Sequence, residues 1–305
     1  MEFIRPGIDI DFVGKRGYAF ALSALLIIAG IVSLILHGGP NYGIDFAGGT
    51  LLQVKFQKGV KIEELRKVVG GLGLGEVLIQ TFGSKDEFLI RLERSSGELK
   101  GLSSMIEEGL RKAFGEGSFE IRRVEMVGPK VGKDLRQKGI KAIIFALIGI
   151  LIYVSWRFEF RFAVGAVVAL AHDVMITLGV FSLLDKEISL PVLAAFLTIV
   201  GYSLNDTIVV YDRIRENMRK GGNEPFSRVI NRSINETLSR TILTSLTTLI
   251  VVVVLFVLGG GVIHNFALAL LVGIIVGTYS SIYVASPVVL HWQKKGDRGK
   301  KKKKA

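Results

Sequence analysis

The chain has 305 residues, of which 50% are hydrophobic, and its formal net charge is +12. It has no cysteine, which excludes disulfides and thiolate metal sites, and its four histidines are too scattered for a histidine-rich metal site. The apolar residues lie in long aliphatic blocks, a pattern typical of helices that cross lipid rather than of a soluble globular chain.

Six apolar blocks predict six transmembrane helices. Each block is close to the roughly 20 residues that cross a hydrocarbon core about 30 Å thick. The first block follows Lys15 and Arg16 without a small-x-small cleavage site, so we expect an uncleaved helix rather than a signal peptide. The predicted spans are 18–36, 140–156, 162–184, 188–211, 241–258 and 266–290.

Basic residues collect on the side of the spans that holds both ends of the chain, which predicts cytosolic termini by the positive-inside rule. The cytosolic parts are then 1–17, an amphipathic segment at 212–240 and a basic tail at 293–305. We interpret the tail first as a solvated topology signal. Its expected contact is the anionic lipid of the inner leaflet. Ribosomal or nucleic-acid surfaces are the alternative, and no specific nucleic-acid partner is expected.

One soluble domain, 38–135, is predicted between the first two spans, where it would face the periplasm. Alternating and helical spacings of its apolar residues predict the order β-α-β-β-α-β, the ferredoxin-like split βαβ arrangement. The fold class is therefore a polytopic α-helical membrane protein with six transmembrane helices and a small α+β ferredoxin-like domain between helices 1 and 2. Residues 136–292 hold spans 2–6. The predicted strands are 50–56, 77–82, 88–92 and 119–127, and the predicted helices are 62–72 and 99–114.

Three ionisable side chains interrupt or border the predicted spans: Asp173, Asp206 and Arg240. His172 stands beside the first of them. A charge at the bilayer centre costs about 2.5–3.5 kcal/mol, so these groups should face one another or a wet cavity. The direction of each span and a rise of about 1.5 Å per residue place Asp173 near the midplane, with Asp206 and Arg240 on the inner side.

Asp206 and Arg240 form the candidate proton site. A carboxylate binds a proton less readily beside a guanidinium than when it is buried alone, so an aspartate whose arginine partner moves would take up and release a proton. The alternative is a static pair that fastens span 4 to span 5. For Asp173 and His172 the proton hypothesis is weaker, and a static packing role fits the sequence equally well.

Small and hydroxyl residues predict close helix packing. Span 6 contains a Gly-x-x-x-Gly pair, Gly273 and Gly277, and Ser280 and Ser281 follow it. We interpret these residues as generic contacts within a helix bundle that has a partner. Span 5 carries a further set of hydroxyl residues: Thr241, Thr244, Ser245, Thr247 and Thr248.

Several motifs converge along the chain. They are GIDFAGG at 43–49 (Gly43, Asp45, Phe46, Gly48, Gly49), VGPKVG at 127–132 (Gly128, Pro129), AHDV at 171–174, the span-4 motif at 201–217 (Asn205, Asp206, Asp212, Arg213) and the segment 231–241 that contains Arg240. Together they resemble the SecF branch of the bacterial SecD/SecF family of protein-export membrane proteins. The resemblance covers essentially the whole chain, and the span-4 motif is highly specific.

The resemblance implies half of a transporter of the resistance-nodulation-division superfamily in the bacterial inner membrane. It implies pairing with SecD, association with the SecYEG channel and YajC, and use of the proton motive force to pull preproteins across after SecA has acted. By position, Asp206 and Arg240 match the family's proton-pathway residues. Protons would be the coupling ion, without a cofactor, a metal or covalent chemistry.

Three other functions stay open at this stage. A half-transporter that exports lipids or small molecules is expected to carry larger periplasmic domains. An intramembrane aspartyl protease would use Asp173 and Asp206, but the Gly-x-Gly-Asp and Pro-Ala-Leu motifs of such enzymes are absent from the sequence. A scaffold that holds the translocon together would need no titrating group.

Overall fold

The computed structural model describes residues 8–75, 77–92, 99–220 and 224–292. The chain divides into two compact units. The helical unit consists of Met1–Asn41, Ala142–Lys186 and Pro191–Ala305, and the sheet unit consists of Tyr42–Lys141 and Glu187–Leu190. The predicted basic tail, 293–305, and its expected lipid contact lie outside the described residues.

The helices and strands follow one another along the whole described chain. In chain order the helices are α1 (Arg16–Leu36), α2 (Ile44–Ala47), α3 (Ile62–Gly70), α4 (Leu99–Phe114), α5 (Pro129–Arg157), α6 (Phe160–Leu183), α7 (Leu190–Arg219), α8 (Phe226–Leu258) and α9 (Gly260–Ser280). The strands are β1 (Gly49–Phe56), β2 (Val77–Phe82), β3 (Ser84–Leu92) and β4 (Phe119–Val127).

Within the described residues, six helices are long and apolar enough to cross a membrane, which agrees with the predicted number of spans. They are α1 and α5 to α9. The last of them continues beyond α9 through a π-helical turn at Ser281–Ala285, so that the whole apolar helix extends over Ile263–Trp292.

Three of these helices, α5, α7 and α8, extend well beyond the apolar blocks that predicted them. α5 begins at Pro129 rather than at 140, because proline is favoured in the first turn of a helix, where its missing N–H costs no hydrogen bond. α7 continues to Arg219, and α8 begins directly after Pro225. The segment 212–240 is therefore shared by the ends of α7 and α8. α8 runs unbroken into span 5, since it contains no glycine or proline.

Two asparagines of α8, one turn apart, hold the described N-terminal segment. The Oδ1 atom of Asn231 accepts a hydrogen bond from the backbone N–H of Phe12, and that of Asn235 accepts one from Ile10, each at 2.9 Å. Both Nδ2 groups donate to the carbonyl oxygen of Ile10, also at 2.9 Å. The amphipathic face predicted for this segment thus packs within the chain, since Phe12 and Ile234 are buried in one apolar cluster.

Glycines allow close helix crossings within the helical unit. A methyl group in place of the Gly30 hydrogen on α1 would lie 2.7 Å from the Cα atom of Gly179 on α6. The two glycines predicted to pack in span 6 both face α7. A methyl group on Gly277 would lie 2.9 Å from the Cβ atom of Ser203, and one on Gly273 would overlap the same helix one turn earlier.

The sheet unit contains an antiparallel sheet of four strands in the order β2-β3-β1-β4. α3 follows β1 and α4 follows β3, and both helices contribute to the same apolar core. The hairpin between β2 and β3 is tighter than the sequence predicted, because Gly83 alone, with φ of 71°, makes the turn. The largest fully buried core side chains include Leu52, Leu65, Phe88, Ile90, Leu92, Ile106 and Leu110.

The 43–49 motif forms a close joint with the start of α5. Gly48 and Gly49 have φ of 81° and 123°, a region that favours glycine. A methyl group on Gly48 would lie 2.8 Å from the Cα atom of Pro129, and one on Gly132 would lie 2.9 Å from the backbone nitrogen of Gly48. These glycines therefore allow two backbone segments to touch.

Replacement of Gly132 by alanine should destabilise the protein by about 1–3 kcal/mol, the usual cost of overpacking a filled site. Gly128→Ala is the matched control, because a methyl group there meets no atom within 4 Å. Thermal unfolding of the detergent-solubilised protein measures the difference between the two variants. Equal midpoints for Gly132→Ala and the wild type would contradict the close joint.

Candidate proton site

Asp173 of α6 is fully buried, and three neighbours hold its carboxyl group. Its Oδ2 atom accepts hydrogen bonds from Ser203 of α7 at 2.6 Å and from Ser280 of α9 at 2.7 Å. Its Oδ1 atom lies 2.8 Å from Nδ1 of His172. Asp173, which the sequence placed near the membrane midplane, therefore has three polar partners.

The polar contacts continue from His172 to the backbone of α1. Its Nε2 atom lies 2.9 Å from the hydroxyl of Ser23 on α1, which lies 3.1 Å from the hydroxyl of Tyr279 on α9. Tyr279 donates to the carbonyl oxygen of Ala19 at 2.7 Å. The imidazole also stacks on the Tyr279 ring, with centroids 6.1 Å apart. The chain of contacts therefore joins three helices.

Asp206 of α7 is also buried, with 2% of its surface exposed, but its carboxyl group has few hydrogen-bond donors. Its Oδ2 atom lies 3.3 Å from the hydroxyl of Ser245 on α8. Ser245 lies closer, at 2.7 Å, to the hydroxyl of Thr278, and Thr278 donates its own hydrogen to the carbonyl oxygen of Ile274 at 2.8 Å. Ser245 has a single hydrogen for these two contacts and the shorter one is to Thr278, so Asp206 receives only part of that hydrogen.

Arg240 is exposed on α8, five residues before Ser245, and does not pair with Asp206. Among the described residues, no ion pair within 4.0 Å joins the two side chains. The static ion pair considered from the sequence is therefore not formed in this structure.

Four consecutive hydroxyl side chains at the end of α9 reach four different helices. Successive residues of an α-helix point in directions about 100° apart, because 3.6 residues make one turn. The contacts run to Ser245 of α8, Ser23 of α1, Asp173 of α6 and Thr207 of α7. The four hydroxyl residues, here called the α9 hydroxyl run, are Thr278, Tyr279, Ser280 and Ser281.

A π-helical turn at Ser281–Ala285 begins at the last residue of the hydroxyl run. Such turns are rare and occur often at functional sites. The hydroxyl of Ser286, the residue after the turn, donates to the carbonyl oxygen of Ser281 at 3.0 Å. The irregular turn therefore begins directly after Ser280, which contacts Asp173.

The remaining span-4 motif residues serve other contacts. Asp212 pairs with Arg157 at 3.3 Å, with both side chains about half exposed. The Nε atom of Arg213 donates to Glu236 of α8 at 2.6 Å, which ties α7 to α8. Asn205 is exposed on the chain surface. None of these three motif residues contacts Asp206 among the contacts that the structure describes.

Asp45 of the 43–49 motif caps the start of α7. Its Oδ2 atom accepts a hydrogen bond from the backbone N–H of Leu190 at 2.8 Å. The N–H of Gly43 donates to the carbonyl oxygen of Ile188 at 2.8 Å. Phe46 is buried beside them. The motif therefore fixes the segment that leads into the helix that carries Asp206.

Glu187 lies in the same joint and is largely buried. Its Oε1 atom is 3.9 Å from Arg91 of β3. Burial raises the pKa of Glu187 above its ordinary value, and the nearby Arg91 opposes part of that increase. A carboxyl group in this setting favours its neutral form more than a solvated glutamate does.

The sequence analysis did not identify several partners of the aspartates. Ser245 and Ser280 were assigned to helix packing, and Ser23 and Tyr279 were not singled out. The available signal was the run of four hydroxyl residues in an otherwise apolar helix. In the described part of the chain, no cluster of three or more histidine, aspartate or glutamate side chains is arranged to hold a metal ion.

Two family models match the chain. The SecD/SecF GG motif matches residues 33–60, and the C-terminal region of the protein-export membrane proteins SecD/SecF matches residues 106–295. Protein translocase subunit SecF of Magnetococcus marinus is 50% identical over 95% of this chain and 94% of its own length. The SecF of Escherichia coli O157:H7 is 43% identical over 92% of this chain and 87% of its own.

Solved structures of SecDF share the fold. SecDF from Thermus thermophilus, described as a translocon-associated membrane protein, matches 94% of this chain with a TM-score of 0.85 and 42% identity. A second SecDF structure, in a super-membrane-facing form, matches 100% of this chain with a TM-score of 0.72 and 41% identity. This chain covers 39% and 41% of those two longer chains.

Asp45→Ala should destabilise the protein by about 1 kcal/mol, because the cap at the start of α7 is lost. Asp45→Asn should keep most of the stability, since the amide oxygen can still accept the hydrogen bond from Leu190. Thermal unfolding in detergent compares the two variants with the wild type. An alanine variant as stable as the asparagine variant would contradict the capping role.

Glu187 should also make stability depend on pH. Because its pKa is raised in the folded protein, its contribution is fully present below the ordinary value of 4.5 and is lost as pH rises through the folded-state value. Glu187→Gln should remove this decline. Unfolding midpoints of both proteins, measured from pH 4.5 upward, give the difference, and parallel curves would contradict the raised pKa.

Proposed function

This chain belongs to the SecF family of protein translocase subunits, and we propose that it drives late steps of preprotein translocation with the proton motive force. It is a multi-pass membrane protein of the bacterial inner membrane. The proposed partners are SecD, the SecYEG channel, YajC and the translocating preprotein. SecD is supported by the SecDF structures, whose chains are more than twice as long as this one.

The contrast between the two buried aspartates supports the proton-driven role. Asp173 has two serine donors and a histidine, whereas Asp206 has only part of the single hydrogen of Ser245. A buried carboxylate with so few donors is costly. Such a carboxylate is stabilised either by binding a proton or by pairing with a guanidinium, and Arg240 lies on α8 five residues before Ser245 without an ion pair to Asp206.

In the proposed working step, Asp206 alternates between binding a proton and pairing with Arg240. When Arg240 approaches Asp206, the carboxylate is stabilised and its proton leaves. When Arg240 withdraws, a proton binds in its place. α8 carries both Arg240 and Ser245, so a shift of α8 against α7 changes both contacts together. An aspartate of SecD would complete the site, as the family resemblance implies.

The energy available fits a conformational switch. One charge moved through 100 mV yields about 2.3 kcal/mol. That is enough to bias an equilibrium between two arrangements of a domain, although moving it from 1:99 to 99:1 takes about 5.5 kcal/mol. Several protons, or one proton acting on a balanced equilibrium, would supply the motion. No cofactor and no covalent chemistry enter this proposal.

We further propose that the sheet unit is a ferredoxin-like domain in the periplasm and that both termini are cytosolic. The β-α-β-β-α-β order and the strand order β2-β3-β1-β4 support the ferredoxin-like class. The distribution of basic residues along the sequence supports the orientation. The domain would contact the passenger on the side where the preprotein leaves the channel.

Asp206→Asn tests the proposed function in proteoliposomes that contain SecYEG, SecA and the complete SecDF complex. The part of preprotein export that depends on an imposed proton gradient should fall about 10²-fold or more, the lower range for loss of a positioned proton-transfer group. Arg240→Ala should have the same effect. Asp134→Asn, an exposed carboxylate of α5, is the matched control and should export normally.

The outcomes separate the alternatives. Normal gradient-dependent export by the Asp206→Asn protein would contradict the motor role. Loss of complex assembly in that variant would favour a scaffold instead. Unchanged preprotein export together with altered accumulation of a lipid or small molecule would favour an exporter of the same superfamily.

A further inference from the structure

The hydrogen bonds around His172 have a direction that can be traced from a backbone carbonyl. The carbonyl oxygen of Ala19 can only accept, so the Tyr279 hydroxyl uses its single hydrogen in that contact of 2.7 Å. The Ser23–Tyr279 contact of 3.1 Å then needs the hydrogen of Ser23. Ser23 has none left for His172, so the hydrogen between them, at 2.9 Å, belongs to Nε2 of His172.

The contact between His172 and Asp173 needs one more hydrogen. At 2.8 Å, either Oδ1 of Asp173 carries it, beside a neutral imidazole, or Nδ1 of His172 carries it, beside a carboxylate. The total is the same in both cases. The pair holds one proton more than an ionised aspartate with a neutral histidine, and its net charge is zero.

An ionised Asp173 beside a neutral His172, the arrangement with one proton fewer, is disfavoured for two reasons. Ser23 would have to donate to His172, and two hydroxyl oxygens would then face each other at 3.1 Å without a hydrogen between them. A net negative charge would also be buried at Asp173, whose exposure is 0%. The neutral pair avoids both costs.

We propose that His172 and Asp173 form a binding site for one retained proton, separate from Asp206. The Ser23–Tyr279 contacts hold that proton on the pair. α1, α7 and α9 contribute only hydroxyl groups to the site, namely Ser23, Ser203, Tyr279 and Ser280. The carboxyl group nearest in sequence to these residues on the three elements is Asp206, which follows Ser203 on α7 by about one helical turn.

With the retained proton, Asp173 and Asp206 have different roles. The site at Asp173 fastens α1, α6 and α9 as a neutral unit, whereas Asp206 lies between α7 and α8 without firm donors. This inference goes beyond the proposed function, because it rests on hydrogen-bond direction alone and holds whether or not Asp206 exchanges a proton.

Nitrogen-15 NMR of histidine-labelled protein in lipid bilayers near neutral pH tests the site. The His172 signals are assigned by their loss in His172→Asn. We expect Nε2 to carry a hydrogen. A bare Nε2 with a hydrogen only on Nδ1 would overturn the proposal, because it is the signature of the arrangement with one proton fewer.

Two tyrosine variants test the role of the hydroxyl chain. Tyr279→Phe frees the hydrogen of Ser23 for His172, so a population with bare Nε2 should appear. Tyr283→Phe is the matched control, since the Tyr283 hydroxyl makes no hydrogen bond with the described residues. An unchanged His172 spectrum in Tyr279→Phe would contradict the role of the chain.

Asp206→Asn separates this inference from the proposed function. The His172 spectrum should stay that of the wild type, even if gradient-dependent export is lost. A change of the His172 protonation state in Asp206→Asn would overturn the claim that the two sites are separate.

Discussion

The number of hydrogens that nearby hydroxyl groups can give distinguishes the two buried carboxyl groups of the helical unit. Asp173 receives two serine donors and a shared proton with His172, so its charge is cancelled within the bundle. Asp206 receives a fraction of one hydrogen from Ser245, whose shorter contact is with Thr278. In the proposed function, the same low-polarity surroundings fix one carboxyl group and leave the other dependent on a movable partner.

The α9 hydroxyl run links these two sites. Each of its side chains contacts a different helix, so a small rotation of α9 would disturb the contacts to α1, α6, α7 and α8 together. The adjoining π-helical turn is a point where such a rotation could be absorbed. At the first residue of α7, the backbone N–H of Leu190 donates to Asp45. Farther along α7, the contacts near Asp206 are made by hydroxyl side chains.

Much of this architecture was predictable because it depends on local physical rules. Aliphatic length gave the six spans, alternation gave the four strands, and the cost of a charge in lipid singled out Asp173 and Asp206. The unpaired state of Arg240 and the direction of the hydrogen bonds at His172 were not predictable. Both depend on which side chains meet across helices, and periodicity identifies a face without identifying its neighbour.

The start of α5 and the role of Asn231 and Asn235 were missed for the same reason. The apolar block begins after the helix does, and the two amides act on a segment that lies far away in the sequence. Glycine positions could be noticed in the motifs, but only the structure shows that Gly132 touches backbone while Gly128 does not. Sequence patterns thus locate the site, and tertiary contacts assign its partners.

Infrared difference spectroscopy of the SecDF complex in proteoliposomes can follow the protonation of Asp206 and Asp173 during export. The carboxyl signals of the two aspartates are assigned by their loss in Asp206→Asn and Asp173→Asn. On imposing a proton gradient, we expect the Asp206 signal to alternate between protonated and ionised forms while the Asp173 signal stays constant. An Asp206 signal that remains in one form throughout active export would rule out proton exchange at this residue.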